Sequence, residues 1–326
     1  MARKMLVTGG AGFIGSHVAD RFLEEGYDVT ILDNLSSGRR ENIPSAATFV
    51  HGDITSPDAA TLVRDGRFDV MCHLAAQIDV RRSVDDPVFD ATRNILGTLN
   101  LMEAVRASGH ATRVIFSSTG GALYGEFDPP PSAETFGKDP EAPYGIAKLS
   151  VEYYLAYYGR VHGIQTVALR YGNVYGPRQD PHGEAGVVAI FCNRILDGKT
   201  LTVFGNGEQT RDYVYAGDVA AANFAAASIE LPPAGRVDAR AFNIGTGIET
   251  SVTTIAKTLL DAAGATTPID YAPPRAGELL RSCLDTTKAQ QMLDWKPTVT
   301  LQDGLARTFR FFADRRQAPI SAGSLA

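Results

Sequence analysis

The junction between a short apolar run and a glycine-spaced turn, near the start of the chain, constrains the fold more than any other feature. Met5–Thr8 is apolar and leads into glycines, which is typical of a buried parallel strand. Three glycines follow at intervals of three residues: Gly9, Gly12 and Gly15. Apolar residues then recur at helical spacing up to Gly26: Ile14, Val18 and Phe22. The junction predicts the strand, turn and helix with which an open α/β sheet begins.

Strand-like and helix-like segments continue to alternate over the first half of the chain. Short apolar runs predict strands at 28–32, 48–50, 69–74, 113–117 and 165–169. An amphipathic pattern predicts a helix through Ile95, Leu99, Met102 and Val105. Another predicted helix carries Tyr144. Because strands separated by helices form βαβ units, the sequence predicts an α/β fold with a Rossmann-type, doubly wound parallel sheet.

After Arg170, glycine, proline and polar residues become frequent up to Glu184, which predicts a loop over this segment. The later elements are shorter and less regular, with a turn at 205–207. We therefore expect a cofactor-binding domain over 1–172 and a smaller C-terminal substrate-binding lobe over 173–326. The residues from Arg315 onward are predicted to fray.

Composition and charge exclude several classes of function. The chain has 326 residues and a net charge of −6 without a long basic run, which argues against nucleic-acid binding. No apolar stretch approaches the ~20 residues that span a bilayer, so no membrane association is predicted. Three widely spaced cysteines fit a reducing, cytoplasmic location. The six histidines lack metal-ligand spacing, so no metal site is predicted and His73 is interpreted as a core residue.

The glycine turn predicts a dinucleotide site. Glycine allows a tight turn and lets backbone N–H groups approach a pyrophosphate at the positive end of a helix. Asp33 follows the second strand. A carboxylate there would accept hydrogen bonds from the adenosine ribose and repel a 2′-phosphate, which favours NAD over NADP. Arg39 and Arg40 are interpreted as a solvated pair in the next loop. Asp53, after the third strand, either holds the adenine amine or caps a helix.

Tyr144 and Lys148 lie four residues apart and therefore on one helical face. Lowering a phenol pKa from about 10 to neutrality needs roughly 4 kcal/mol, and an ammonium about 4 Å away supplies that order of magnitude. The tyrosine would then take a proton from a substrate hydroxyl while hydride leaves the carbon. A hydroxyl of Ser118 or Thr119, at the carboxyl end of a strand, would orient the reacting oxygen. In isolation, a surface helix with an extended lysine explains the pair better than catalysis does.

In this order, the motifs resemble those of the extended short-chain dehydrogenase/reductase family, and in particular of its NAD-dependent UDP-glucose 4-epimerases. The resemblance runs from the first strand to about Leu305. In the first half it rests, beyond the glycines, on the segments 32–35, 52–54, 73–77, 116–119, 123–125 and 144–148, with Asn94, Gly97 and Thr98. In the second half it rests on 169–173, 175–177, 211–214 and 242–246.

The resemblance implies a role for each matching position. Tyr144 would be the general base and acid, Lys148 would hold the nicotinamide ribose, and Thr119 would contact the reacting oxygen. Further positions would line the NAD site: Gly9, Gly12, Phe13, Ile14, Gly15, Asp33, Asn34, Ser36, Gly38, Asp53, Ile54, Leu74, Ala75, Ala76, Gln77, Asn94, Ser117 and Tyr171. Others would bind the nucleotide sugar: Asn173, Val187, Val203, Phe204, Arg211, Arg275, Glu278 and Ser282.

The resemblance also implies that 211–242 returns to the cofactor domain, so that the lobes interleave, and that two copies form a homodimer through helices flanking the sheet. Relatives that dehydrate a nucleotide sugar carry acids directly after the catalytic hydroxyl, whereas Thr119 is followed by Gly-Gly-Ala at 120–122. This favours inversion at C4 of a UDP-hexose such as UDP-glucose or UDP-galactose. Ser282 matches the position where relatives restricted to glucose and galactose carry a tyrosine, which predicts some turnover of UDP-GlcNAc and UDP-GalNAc.

Two alternatives remain open from the sequence. A UDP-glucuronate 4-epimerase, or another nucleotide-sugar-modifying member of the family, would need an additional cation in the sugar pocket, for which Arg81 and Arg82 are candidates. A non-catalytic NAD-sensing regulator would keep the fold, although the joint presence of Tyr144, Lys148 and Thr119 argues against it.

Overall fold

The computed structural model describes residues 2–125, 129–181, 186–274 and 279–317. In these ranges the strands are β1 (Lys4–Thr8), β2 (Asp28–Asp33), β3 (Thr48–His51), β4 (Val70–His73), β5 (Arg113–Thr119), β6 (Gln165–Tyr171), β7 (Asn173–Tyr175), β8 (Leu201–Phe204), β9 (Thr210–Tyr215), β10 (Ala241–Ile244), β11 (Glu249–Ser251) and β12 (Ile269–Ala272). The α-helices are α1 (Phe13–Glu24), α2 (Pro57–Gly66), α3 (Val80–Asp85), α4 (Pro87–Ala91), α5 (Gly97–Ser108), α6 (Pro143–His162), α7 (Val187–Leu196), α8 (Ala216–Ser228), α9 (Val252–Ala263), α10 (Thr287–Leu293) and α11 (Leu301–Gln317). A π-helical turn, Thr92–Leu96, joins α4 to α5.

Seven parallel strands form the main sheet in the order β10-β6-β5-β4-β1-β2-β3. The order reverses between β1 and β4, where open α/β sheets bind ligands at the carboxyl ends of the strands. At this edge Thr8 lies in register with Leu32 on one side and His73 on the other. The predicted doubly wound parallel sheet is confirmed.

The first strand is apolar without alternation because helices cover both faces of the sheet. Met5, Leu6 and Val7 are completely buried, with Met5 and Val7 in one core and Leu6 in the other. The helix α1 buries Val18 and Phe22 against the first of these cores. The glycine turn between β1 and α1 is thereby fixed against a rigid sheet.

The second half of the chain contributes both to the main sheet, with its covering helices, and to two smaller sheets. The helix α8 packs on α1, and β10 pairs with β6 as the last strand of the main sheet. Trp295 also lies in the core shared with β1 and α1. The strand β9 instead pairs with β7 and β11 in a small three-stranded sheet, and β8 pairs with β12 in a two-stranded one.

Two local predictions differ from the structure. The segment after Tyr171, predicted as a loop, contains β7, which forms because it pairs in parallel with β9. Residues Arg315 and Arg316, predicted to fray, belong to the last turn of α11. They are held there by ion pairs with Glu41 and Asp197, respectively.

Candidate active site

The turn between β1 and α1 requires glycine at two positions, Gly9 and Gly15. Gly9 has a φ of +73°, and a Cβ atom there would lie 2.7 Å from the backbone nitrogen of Ala75. A Cβ atom on Gly15 would collide with the carbonyl of Gly9. Gly12 precedes the first residue of α1 and has no side chain to cap the helix, so the N–H groups of Phe13 and Ile14 remain available at its positive end. This cradle fits a pyrophosphate.

Asp33 ends β2 beside this cradle and is 7% exposed. Its Oδ2 accepts a hydrogen bond from the Ala11 backbone at 3.0 Å, and its Oδ1 accepts one from Leu35 at 2.8 Å. The loop then closes over the carboxylate, because a Cβ atom on Gly38 would lie 2.8 Å from Oδ1. Each carboxylate oxygen retains a lone pair that can accept from a sugar hydroxyl. Ser36 is exposed at the outer side of this loop.

The two arginines after this loop have partners within the protein. Arg39 forms ion pairs with Asp180 at 3.4 Å and Glu41 at 3.8 Å. The guanidinium of Arg40 lies 5.3 Å from the centre of the Phe49 ring. Neither arrangement presents a free guanidinium at Asp33.

Asp53 lies at the end of the third strand in a set of hydrogen bonds. Its carboxylate accepts from Thr55, from Asn34 at 2.9 Å and from Arg93 at 2.5 Å. Burial alone would raise the pKa of Asp53, but the hydrogen bonds from Thr55 and Asn34 and the charge of Arg93 outweigh it and lower the pKa to about 2. Asp53 is therefore ionised at neutral pH and remains partly accessible.

The loop after β4 brings Leu74, Ala75, Ala76 and Gln77 to the same edge of the sheet. Asn94, from the π-helical turn, accepts from the Gln77 backbone N–H at 2.8 Å and donates to the Gln77 carbonyl at 2.9 Å. It is 3% exposed. Asn94 thus fixes the shape of the loop that carries several of the predicted cofactor contacts.

His73 is a satisfied core residue, as interpreted from the sequence. Its Nδ1 lies 2.6 Å from the Thr8 hydroxyl and its Nε2 lies 2.9 Å from the Thr98 hydroxyl. Since the Thr98 hydroxyl donates to the Asn94 carbonyl, it must accept from Nε2, and this assigns the tautomer. Burial and the charge of Lys148 lower the pKa of His73 to about 3, so the ring is neutral.

Tyr144, Lys148 and Thr119 come from two adjacent elements, with Thr119 ending β5 and the other two in the first turns of α6. The ammonium of Lys148 lies 5.7 Å from the centre of the Tyr144 ring and donates to the Ser117 carbonyl at 2.8 Å. Burial lowers the pKa of Lys148 to about 8, against the opposing charges of two carboxylates, Asp90 and Glu152. The lysine is 3% exposed, whereas Tyr144 is half-buried. A buried cation therefore stands beside an accessible phenol.

Ser118 does not join this group. Its hydroxyl is buried and donates to Glu152 Oε1 at 2.5 Å. The side chains of a strand alternate between the two faces of the sheet, so Ser118 shares the core face of Phe116. This corrects the prediction that Ser118 contacts the reacting oxygen, and leaves Thr119 as the candidate hydroxyl.

Three other predicted contacts have buried side chains. Ile54 lies in the core under α5, and Tyr171 donates to Asn223 at 3.1 Å. Val203 is completely buried, since alternation along β8 directs it inward and its neighbour Phe204 outward. These side chains belong to the core, so a ligand can reach only the main-chain atoms of these three residues.

Residues of the second half face the same region. The Asn173 amide lies near the turn after Thr119, because a Cβ atom on Gly121 would come 3.6 Å from its Oδ1. Arg211 donates to the Thr210 carbonyl at 2.8 Å, and that carbonyl also accepts from the Ser282 backbone N–H at 3.2 Å. Val187 is half-buried at the start of α7. Arg275 and Glu278 lie outside the described residues.

A cleft lies between the turn that follows β5 and the segment that carries Ser282. Its lining includes Gly120, Gly121, Tyr124, Leu279, Arg281 and Ser282. Ser282 therefore faces the small residues that follow Thr119, with no bulky side chain at either position. The cleft is a candidate pocket for the part of a substrate next to the reacting carbon.

The family model for the NAD-dependent epimerase/dehydratase family matches residues 5–245, which is more than half of the chain. The chain belongs to this family. The match covers every strand of the main sheet, the glycine turn and the pair formed by Tyr144 and Lys148.

Individual members of the NAD-dependent epimerase/dehydratase family are similar over nearly the full length. A UDP-glucose 4-epimerase from Mycolicibacterium smegmatis is 45% identical over 96% of this chain and 100% of its own. The crystal structure of a UDP-glucose 4-epimerase from Thermotoga maritima with UDP-glucose is 45% identical, with a TM-score of 0.90 over 96% of this chain and 99% of its own. That of the Thermus thermophilus enzyme with NAD is 43% identical, with a TM-score of 0.87 over 95% and 99%.

Several residues of the site in this family member escaped the sequence reasoning. Arg93 reaches Asp53 across 40 positions, and Asp90 accepts from Gln77 and Asn94. Asp212 accepts from Thr246, Gly247 and Leu284 and so gathers three segments behind Arg211. The only sign of this role in the sequence is that Asp212 directly follows Arg211. That position does not reveal the hydrogen-bond partners of Asp212, which lie more than 30 residues further along the chain.

Two kinds of feature are absent from the residues that the structure describes. They contain no helix long and apolar enough to cross a bilayer. They also contain no group of three or more histidine, cysteine, aspartate or glutamate residues that could hold a metal ion.

Proposed function

We propose that this chain inverts the configuration at C4 of a UDP-hexose, interconverting UDP-glucose and UDP-galactose with bound NAD. The observation that carries the proposal is the buried ammonium of Lys148, 5.7 Å from the centre of the Tyr144 ring at the carboxyl edge of the sheet. A positive charge stabilises a phenolate and lowers its pKa. The similarity to UDP-glucose 4-epimerases over almost the whole chain supports the same reaction.

The residues around the glycine turn fit NAD. The turn leaves backbone N–H groups for the pyrophosphate, and Asp33 offers acceptors to the adenosine ribose. The ionised Asp53, with Asn34 beside it, would accept from the adenine amine, and Gly38 and Ser36 would close the loop over the ribose. When bound, NAD takes up a hydride from C4 of the sugar and returns it.

The protein groups supply the proton transfer. Tyr144 would take the proton of the C4 hydroxyl and later give it back, with Lys148 keeping the phenolate stable in both directions. Thr119 would donate a hydrogen bond to the C4 oxygen and hold it in place. Lys148 would also donate to the nicotinamide ribose, since an ammonium has three N–H donors and its bond to Ser117 uses one.

The second lobe would bind the UDP group. Arg211 and Arg275 suit a diphosphate, and Glu278 suits ribose hydroxyls. Asn173, Val187 and Phe204 would contact the remaining parts of the nucleotide. We propose that 1–172, joined by 211–242, binds NAD, and that the rest of 173–326 binds UDP. In this division NAD and UDP lie on separate domains. It fits the pairing of β10 with the main sheet.

The turn after Thr119 favours epimerisation over dehydration. Residues 120–122 are Gly-Gly-Ala, which provide no acid to protonate a departing hydroxyl. The same small residues face Ser282 across the cleft, so none of these positions carries a bulky side chain. We propose that the chain also accepts the N-acetylated substrates UDP-GlcNAc and UDP-GalNAc.

The alternatives have less support. A uronate epimerase would need a cation in the sugar pocket, but Arg82 lies 4.0 Å from the centre of the Phe89 ring, and both Arg81 and Arg82 are exposed. A non-catalytic NAD sensor could use Lys148 for the nicotinamide ribose, but it has no need for a phenol and a hydroxyl, Tyr144 and Thr119, at the same edge of the sheet.

We also propose a homodimer through α6. This helix exposes a set of large apolar side chains at spacings that keep them on one face: Ile146, Tyr153, Tyr154, Tyr157 and Val161. A second copy would cover this face, since an isologous interface presents the same surface twice. Sedimentation of wild type and Tyr154→Glu tests it, with a dimer expected for wild type only. A cytoplasmic location fits the three free, buried cysteines.

Product analysis tests the main proposal. Purified protein is incubated with UDP-galactose and no added nicotinamide, and the products are identified by NMR. Appearance of UDP-glucose supports C4 inversion with retained NAD. A parallel incubation with UDP-glucuronate distinguishes the uronate alternative. If neither sugar is converted even after NAD is supplied, the proposed function is wrong.

A further inference from the structure

The helix α6 carries a third group in line with the phenol and the ammonium. Tyr144, Lys148 and Glu152 are spaced by four residues, so they follow one another along one helical face. Glu152 is 2% exposed, and its Oε1 accepts from the Ser118 hydroxyl at 2.5 Å. Ser118 directly precedes Thr119 in β5. The carboxylate therefore links the helix that carries the phenol to the strand that carries the candidate hydroxyl.

Arg170 of β6 forms the other side of this contact. It is completely buried, and its Nε and Nη2 donate to Glu152 at 3.0 and 2.6 Å. Nη2 also donates to Asp238 at 2.8 Å, while Nη1 donates to the Tyr124 hydroxyl at 3.0 Å and to the Glu134 carbonyl at 3.1 Å. A guanidinium has five N–H donors, and this set can occupy all of them.

The charges alternate from the active site toward the surface. The cation Lys148 is followed by Glu152, Arg170, Asp238 and finally Lys138, whose ammonium lies 2.7 Å from Asp238. Removing one member leaves a buried charge without its partner, which is strongly destabilising locally. Among the four members that are in direct contact, Glu152, Arg170, Asp238 and Lys138, each charge therefore holds its neighbours in place.

The same network reaches the cleft. The Tyr124 hydroxyl accepts from Arg170 and donates to Asn243 at 2.7 Å, and Tyr124 lines the cleft with Gly121 and Ser282. Asn243 in turn donates to the carbonyls of Ser132 and Asp285. The ion pair thus connects the wall of the substrate cleft to the strand and helix that carry the reacting groups.

We propose that Glu152 is a positioning residue, which sets the Tyr144–Lys148 pair against Thr119 by binding Ser118 of β5 and Arg170 of β6 from the same helix. It acts through these neighbours and contacts no reacting atom. The proposal rests on the function proposed above for Tyr144 and Lys148, which it deepens.

The surroundings of Lys148 define the electrostatic consequence. Two carboxylates face it, Asp90 from α4 and Glu152 from α6, and both oppose the effect of burial on its pKa. His73 of β4 is neutral, and Tyr144 is the remaining titratable neighbour. Without the charge of Glu152, Lys148 loses its proton at lower pH. The phenol then loses the cation that stabilises its ionised form, so the pKa of Tyr144 rises.

The test compares Glu152→Gln with Asp218→Asn. Asp218 is 3% exposed and accepts from Thr298 and Val299, neither of which belongs to the candidate site, so its variant controls for a general loss of stability. For each protein, the ionisation midpoint of Tyr144 is read from ultraviolet absorbance after subtraction of the same protein carrying Tyr144→Phe. Turnover of UDP-galactose is measured in parallel.

We expect Glu152→Gln to raise the midpoint and to lower kcat by about tenfold, with KM changed by less than about twofold. Asp218→Asn should leave the midpoint and kcat at the wild-type values. A direct effect of the lost negative charge on the phenol would lower the midpoint instead, so an unchanged or lowered midpoint overturns the proposal. The spectroscopic result does not depend on turnover, and therefore remains decisive even if wild type does not convert UDP-galactose.

Ser118→Ala provides the second variant if Glu152→Gln does not fold. It removes the bond to the strand and leaves every charge in place, so any change in the midpoint comes from position alone. We expect the midpoint to rise and kcat to fall, each by less than in Glu152→Gln. Wild-type values for both quantities would contradict the proposal.

Discussion

Lys148 donates to the carbonyl of Ser117, two residues before Thr119, while its ammonium lies 5.7 Å from the centre of the Tyr144 ring. The hydrogen bond joins α6 to the end of β5, so the position of the cation is fixed by the main chain of the sheet. A lysine held in this way does not need a carboxylate in direct contact to keep its place. Its charge remains available to the phenol.

The phenol of Tyr144 is expected to be essential for turnover. Tyr144→Phe should reduce kcat by roughly 10²–10⁴-fold, the usual contribution of a general acid–base group. Binding of NAD and the free energy of unfolding should change little. NMR detection of UDP-glucose formed from UDP-galactose measures the rate, with Tyr153→Phe, an exposed tyrosine of the same helix, as the control. Equal rates in the two variants would exclude Tyr144 as the base.

Lys148 should make stability depend on alkaline pH. Its pKa in the folded protein, about 8, lies below the ordinary value of 10.5 because of burial. Between these values the unfolded chain binds a proton that the folded chain does not, so the free energy of unfolding rises with pH. The cost of the buried ammonium is present below pH 8 and is relieved as pH approaches 10.5.

Urea unfolding of wild type and Lys148→Met over this pH range provides the measurement. The difference in free energy of unfolding between the two proteins should shift in favour of wild type as pH rises. A difference that stays constant would mean that the lysine titrates normally in the folded protein.

The Asp33 carboxylate should select NAD and bind it tightly. Asp33→Asn should weaken NAD binding roughly tenfold, since hydrogen bonds to a charged group contribute about 1.5 kcal/mol or more. The preference over NADP should also fall, because the charge that repels a 2′-phosphate is gone. Calorimetry with both cofactors measures this. Asp28→Asn, at the exposed start of the same strand, is the control and should bind NAD like wild type.

Ser282 should determine whether N-acetylated sugars are accepted. Ser282→Tyr is expected to reduce turnover of UDP-GalNAc by at least about tenfold, because the ring would fill the cleft opposite Gly121. Turnover of UDP-galactose should remain within about threefold of wild type. Ser282→Ala keeps the space open and should retain both activities. An unchanged ratio of the two rates in Ser282→Tyr would remove Ser282 from the specificity site.

The parts of the site that local sequence rules determine were predictable. The glycine turn allows no other residue at Gly9 or Gly15, and Asp33 follows from the end of an apolar strand. Tyr144 and Lys148 share a face because helical spacing alone places them there. Strand alternation could also have identified Ser118 as a core-facing residue, since Phe116 precedes it by two.

The remaining parts depend on contacts between residues far apart in the chain. Arg93 lies in the π-helical turn after α4 and meets Asp53 across 40 positions, and Arg170 meets Asp238 across 68 positions. A buried arginine with five bonded donors has no signature in composition or periodicity. Val203, predicted to bind the nucleotide sugar, has a side chain that alternation along β8 directs into the core.

The pairing of β10 with β6 has a consequence for how this protein is made. The main sheet gains its last strand only when Ala241–Ile244 has left the ribosome, long after the segment with Tyr144 and Lys148. Until then, the outer edge of β6 is unpaired, and its backbone N–H and C=O groups can form hydrogen bonds with another chain. A fragment that ends at residue 172 would retain this unpaired strand edge permanently. Expression of residues 1–172 alone should therefore yield aggregates instead of a cofactor-binding domain.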